Sequence, residues 1–196
     1  MLKHLTSRRA VRAQFGFAAT AALLACFAFF AGLLAGQAQA DPVTGGMIAG
    51  KADDGIATVA GTRARLTASG TAIAPAAAPL RVKKVIAAAN RIAKKPYLWG
   101  GGHGSWNASG YDCSGSTSYA LHGGGLLDAP MASGFYALGK AGKGRWITTF
   151  ANSGHVYMEI AGLRYDTSAL KQEGSRWSAR PRTYGSGFVA RHPVGL

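Results

Sequence analysis

Acidic residues are scarce in this sequence. Eight Asp+Glu stand against 22 Lys+Arg among 196 residues, a formal net charge of +14, and charged residues make up only 15%. That excludes an acidic disordered chain and, with 28 glycines, a long charged coiled coil. Cysteine is scarcer still: two in the whole chain exclude a disulfide-stapled mini-protein and a two-loop zinc module. No His-Glu-x-x-His or paired-cysteine spacing occurs, so His103 and His122, both among glycines, are not assigned to a metal, and no cofactor is expected. Aromatics are missing from residues 41–80, whereas all four Trp and all seven Tyr lie beyond Arg81. The length fits one domain with a buried core.

The N-terminus has its own order. Lys3, Arg8, Arg9 and Arg12 carry its charge without an acid, Phe15 to Gly36 is almost wholly apolar, and Ala38-Gln39-Ala40 precedes Asp41-Pro42. Basic, apolar, then small-x-small is the pattern of a secretory signal over 1–40. Ser7-Arg8-Arg9-Ala10-Val11-Arg12 also resembles a twin-arginine signal, with valine where that motif prefers phenylalanine. The alternative is an uncleaved membrane anchor, since an apolar run of this length spans a bilayer with some tilt. Both readings place the protein outside the cytoplasm, and cleavage makes it secreted and extracellular. Cleavage would also remove Cys26 and leave Cys113 as the one cysteine. It is then either a small buried hydrophobe or a reactive thiol.

Residues 41–80 read as a flexible linker, rich in Ala, Gly and Thr and closed by Ala74-Pro75-Ala76-Ala77-Ala78-Pro79. The packed domain is expected over 81–196. Val82, Val85, Ile86, Ala89, Ile92 and Ala93 share one helical face, and Pro96 stops that helix. A glycine-rich passage leads to a second helix over Ser114–His122, with Asp112 or Cys113 near its N-cap. Beyond it the period changes to two, with strands at 145–150, 155–160, 163–167 and 187–192. Helices first and strands afterwards give an α+β class, an antiparallel sheet packed on helices.

A thiol at a helix N-terminus is a better nucleophile, because unpaired N–H groups and the helix dipole favour its thiolate. Cys113 holds that place, and it needs an imidazole as base. His155 opens a strand whose Val156, Met158 and Ile160 point inward. If Ala161-Gly162 is a two-residue hairpin loop, residue 160 pairs with 163. Asp166 then lies one diagonal from His155 on the same face, within reach of its ring. His192 on the last strand is a second candidate for orienting the base.

Tyr97-Leu98-Trp99-Gly100-Gly101, Gly110-Tyr111-Asp112-Cys113-Ser114-Gly115 and Gly154-His155-Val156-Tyr157-Met158 together resemble the NlpC/P60 family of cell-wall cysteine peptidases. The resemblance covers about 81–170 well and the tail loosely. It implies a minimal papain-like fold, with Cys113 as nucleophile and His155 as base. It also implies that Tyr97 lies beside the thiol and that Asp112 and Ser114 help seat a peptide. Asp166 stands where many members carry histidine. The implied reaction is hydrolysis of peptidoglycan stem peptides at the amide between the D-glutamate side-chain carboxyl and a diamino acid.

An amidase or acyltransferase would use the same dyad, and a non-catalytic wall-binding protein would keep the same fold. Anionic wall polymers are the partner expected from the charge. Lys94-Lys95-Pro96-Tyr97 is too short a basic–aromatic cluster to point to nucleic acid. A membrane partner is expected only for an uncleaved N-terminus. Intact mass from a culture supernatant should show a mature chain beginning at Asp41. Full-length protein confined to the membrane fraction would favour the anchor.

Overall fold

Small side chains build the first layer of the structure. The computed structural model describes residues 50–51, 55–132 and 134–196, so the signal segment expected at 1–40 lies outside the described residues. Four short strands come first: β1 (Gly50–Lys51), β2 (Ala57–Val59), β3 (Arg65–Leu66) and β4 (Ala72–Pro75), in the order β1-β2-β4-β3. The β2–β4 pair is parallel, with Thr58 opposite Ala74, and its neighbours are antiparallel.

This layer corrects the linker expected over 41–80 from residue 55 onward, and residues 41–49 and 52–54 of that expectation lie outside the described residues. From Ala57 to Pro75 the chain forms a sheet, and Ala72, Ala74 and Ala78 enter the same buried cluster as Val82 and Ile86 of helix α1 (Leu80–Ile92). Alanine supplies little apolar area, but it lets a strand backbone approach a helix closely, so the layer needs no aromatic residue. Asn90 fastens the two together. Its side-chain amide donates to Ala72 O at 2.8 Å while its Oδ1 accepts from Ala72 N at 2.9 Å, as a neighbouring strand would.

Helix α1 buries the face read from its periodicity: Val82, Val85, Ile86, Ala89, Ile92 and Ala93 are all buried. It stops at Ile92, ahead of Pro96. Helix α2 (Cys113–Gly123) packs against α1, and Asp112 is its N-cap. Then come β5 (Lys140–Ala141), β6 (Ile147–Ala151), β7 (Val156–Ile160), β8 (Leu163–Tyr165), the short α3 (Leu170–Glu173), β9 (Trp177–Ser178) and β10 (Val189–His192). These six strands form one antiparallel sheet in the order β5-β10-β6-β7-β8-β9. The class is α+β, although strands precede the helices as well as follow them.

Two registers matter for the site. Ile160 pairs with Leu163 and Met158 with Tyr165, so Ala161-Gly162 is the two-residue loop the sequence implies. Both loop residues have positive φ, 47° and 84°, the conformation that matches the twist of a hairpin. Strand β8 ends two residues earlier than expected, at Tyr165, because Asp166 caps a 3-10 turn over Thr167–Ala169. Met158 and Ile160 point into the core beside Ile147, Tyr165 and Trp177, with Ala120 and Leu121 of α2 on the far side. Burying each large member is worth about 1.5–3 kcal/mol. That packing holds α2 against β7.

Replacing Asn90 by Ala strands the N–H and the carbonyl of Ala72 together. Asn90→Ala should lower unfolding free energy by about 2 kcal/mol, read from urea denaturation, and hasten proteolysis within 55–75. An unchanged midpoint would mean that apolar contact alone holds the layer.

Candidate active site

Asp112 sets the position of the nucleophile. Its backbone is extended, its carboxylate accepts from Gly115 N at 2.7 Å, and Ser116 N reaches its carbonyl, so α2 begins with Cys113. The same carboxylate accepts from Gly100 N at 3.0 Å and thereby draws the glycine-rich loop against the helix. Gly115 makes that approach possible, since a Cβ there would meet the carbonyl of Gly101. Cys113 is a free, half-buried cysteine at the positive end of α2, and the first-turn amides of such a helix have no helical partner.

The base arrives from the sheet. Asn152 Oδ1 accepts from Gly154 N and His155 N, which forms the turn that leads into β7. His155 Nε2 hydrogen-bonds Asp166 Oδ1 at 2.8 Å, which leaves Nδ1 as the ring nitrogen for the thiol. Asp166 is 2% exposed, and its Oδ1 also accepts from Ser168 N at 2.9 Å. The carboxylate that ends β8 therefore also orients the imidazole. His192 has no part in this, because its Nδ1 bonds Gly142 O on the far edge of the sheet, where β10 meets β5.

The electrostatics follow from these contacts. Burial pushes the Cys113 thiol up, but a hydrogen bond with His155, one with the Val156 backbone and the imidazolium charge together bring it below its ordinary value. Burial alone would lower His155; the bonds to Asp166 and Cys113 and their charges carry it instead up to about 9. Burial likewise opposes ionisation of Asp166, yet His155 and Ser168 hold its carboxyl well below the usual range. The three groups favour a thiolate–imidazolium pair at neutral pH. Because the ionisations are coupled, the imidazolium proton is kept below about pH 9 and leaves as pH rises through that value.

Cys113 and His155 both line a groove of about 430 Å³, whose walls include Trp99, His103, Tyr136 and Asn152. That is the size of a small-ligand or peptide site. Trp99 is 86% exposed at its rim. The Tyr97 pKa is raised first by burial and then by the negative charges of Cys113 and Asp112, but the side chain is exposed and is not part of the groove lining. Asp112 and Ser114 line the groove, but both are already engaged: Ser114 Oγ donates to Asp112 Oδ1 at 3.1 Å, and His103 Nε2 lies 2.8 Å from Ser114 Oγ and 3.1 Å from Asp112 Oδ1. Any role in seating a substrate is shared with His103.

The sequence reading missed His103 in this cluster, Phe188 edge-on to the His155 ring at 6.4 Å, and Arg164 and Arg182 beside Asp166. His103 could have been found from its glycine-flanked place close to Asp112, and Arg164 from the period of two that puts it on the face of Asp166. Arg182 could not, since it comes from an aperiodic loop. Among the described residues no cluster of three or more His, Cys, Asp or Glu side chains is gathered for a metal, and no helix is long and apolar enough to cross a membrane.

No protein-family model matches the sequence, and no curated protein matches it. Among solved structures, the chain is similar to the crystal structure of the P60 domain of an antigen from M. avium subspecies paratuberculosis. The match has 23% identity and a TM-score of 0.44, over 57% of this chain and 93% of that one.

Cys113 should be alkylated by iodoacetamide at pH 6.5, where an ordinary thiol is almost wholly protonated. His155→Ala should slow that reaction at least about tenfold, because the thiolate loses its counter-charge. His192→Gln should leave the rate unchanged. The reverse ranking would move the base to the last strand.

Proposed function

We propose that the protein is a secreted cysteine peptidase that hydrolyses peptidoglycan stem peptides. One arrangement carries the catalytic part: a thiol at a helix N-terminus, an imidazole lining the same groove, and a buried carboxylate 2.8 Å from the imidazole Nε2. Such a set does one kind of chemistry well. The Cys113 thiolate attacks an amide carbonyl carbon, and the C=O pair moves to the oxygen. The first-turn amide of Cys113 is placed to hold that oxyanion. As the intermediate collapses, the C–N bond breaks and the His155 imidazolium gives its proton to the leaving amine. His155, now neutral, takes a proton from water, whose oxygen displaces the thiolate and releases the acid. Asp166 keeps the ring in the tautomer and orientation both steps need.

The substrate rests on the motif resemblance and on charge. The three motifs that carry the resemblance to the NlpC/P60 family are the segments that build this groove: the Trp99 loop, the Asp112-Cys113-Ser114 helix start and the His155 strand. The resemblance implies the D-γ-glutamyl–diamino acid bond. The excess of basic residues would concentrate the protein on anionic wall polymers, an attraction that salt screens beyond about 8 Å at physiological strength.

Digestion of purified wall followed by mass spectrometry should give products whose new amine belongs to the diamino acid and whose new carboxyl belongs to D-glutamate. Cys113→Ala should abolish the digestion with little change in thermal stability. Asp166→Asn should lower turnover by as much as about 10⁴-fold through the wrong imidazole tautomer. Turnover should fall as pH rises through about 9, where His155 gives up the proton the leaving amine needs. A cut at the sugar–peptide amide would make the protein an amidase, and an intact wall would leave it a wall-binding protein.

A further inference from the structure

The carboxylate that orients the base has two oxygens, and only one of them faces the base. Asp166 Oδ1 is taken by His155 Nε2 and Ser168 N. Were Oδ2 free, the carboxylate could turn about its last side-chain torsion and carry Oδ1 off the imidazole. Two arginines stand at Oδ2. Arg164 Nη1 lies 3.5 Å away, and this atom and Arg164 Nε have no hydrogen-bond partner, so Arg164 supplies charge without direction. Arg182 Nη1 donates to Oδ2 at 2.6 Å and to Ser168 Oγ at 2.8 Å.

Arg182 is itself held firmly. Its Nε donates to Tyr184 O at 3.0 Å, and its guanidinium lies over the rings of Tyr184, Tyr157 and Phe188 at 4.1, 5.4 and 5.4 Å. The side chain is only 9% exposed. Tyr184 Oη bonds Ser168 Oγ at 2.7 Å, and Asn152, which shapes the turn before His155, donates to Ser186 O at 3.0 Å. Residues 182–188 thus form a strap across the back of the base, fastened to both the His155 turn and the Asp166 turn.

We propose that Arg182 is a positioning residue: it locks Asp166 Oδ2 so that Oδ1 stays on His155, and it thereby keeps the imidazole where it favours the Cys113 thiolate. The second part follows from what surrounds the ring. The His155 ring has Cys113 from α2, Asp166 from the end of β8, Tyr157 from its own strand and Phe188 from the strap about it; Arg164 and Arg182 stand behind Asp166, and Asp112 at the α2 cap acts on Cys113. Asp112 is negative and opposes a thiolate, whereas the imidazolium favours it. The thiolate therefore depends on the ring that Arg182, paired to Asp166 at the shorter distance, keeps in place through that carboxylate.

This inference rests on Cys113 being the nucleophile, and it is tested without any peptide substrate. The measurement is the pH dependence of iodoacetamide alkylation of Cys113 in the full chain. Arg182→Gln should move the midpoint for thiolate formation upward by about one pH unit and slow alkylation below that midpoint about tenfold. Arg182→Lys and Ser168→Ala each remove part of the fork while leaving a cation in place. They should move the midpoint upward by less, about half a unit. These two variants decide the matter if Arg182→Gln does not fold. A purely structural role would lower the thermal midpoint of unfolding and leave the alkylation midpoint where it is, and that result overturns the proposal. A shifted midpoint in a protein that cuts no wall peptide would uphold Arg182 and remove the peptidase reading, so the two failures are distinct.

Discussion

The guanidinium of Arg176 joins the two halves of the site. The residue is 0% exposed, and its side chain donates to Ile92 O and Lys95 O at 2.6 Å, to Tyr111 O at 2.9 Å and to Pro96 O at 3.3 Å. The first of these carbonyls belongs to the C-terminal end of α1, where the helix dipole favours a cation. Tyr111 directly precedes Asp112. Through its backbone, Arg176 donates to Ala93 O and accepts from Asp166 N at 2.8 Å. One residue therefore touches the chain that leads into the nucleophile and the chain that carries the orienting carboxylate. Burying a charge is costly, and burial does lower the pKa of Arg176. Four carbonyl acceptors offset that cost, and removing the cation would leave them unpaired near both segments of the site.

The sequence disclosed those parts of the structure that depend on period and on local chemistry. The buried face of α1 followed from Val82, Val85, Ile86 and Ala89, and the start of α2 from an aspartate before a helical run. The Asp166–His155 contact followed from a hairpin whose two loop residues fix its register. The layer over 57–75 was illegible for a physical reason: its strands are two to four residues long and pack with alanine, so they lack the β-branched or aromatic runs by which strands are recognised. Asn90 fastens β4 to α1 through the backbone of Ala72, and a single asparagine on a helix announces nothing. The same holds for Arg176 and Arg182. Their partners are backbone carbonyls and a carboxylate brought together only by folding, and no periodicity encodes such contacts. Near the site, what could be read was the identity of the reacting groups, and what could not was the set of cations that disciplines them.

Two carboxylates flank the reacting pair, and the protein treats them differently. Asp112 is only one residue from Cys113, where a negative charge opposes the thiolate. Its oxygens are occupied by neutral donors, the amides of Gly115 and Gly100 and the Ser114 hydroxyl, with the His103 ring in addition. These spread the charge of Asp112 into the helix start and the glycine loop, and they turn an electrostatic liability into the cap that places the nucleophile. Asp166 lies behind the base, where a negative charge keeps the imidazolium protonated. Its Oδ2 is met by two guanidinium groups, while its Oδ1 takes the His155 ring and the Ser168 amide. The position of a carboxylate relative to thiol and imidazole thus decides which partners it meets: dipoles alone at the helix start beside the thiol, and full cations as well behind the imidazole, where the carboxylate is buried and its charge needs a counter-charge.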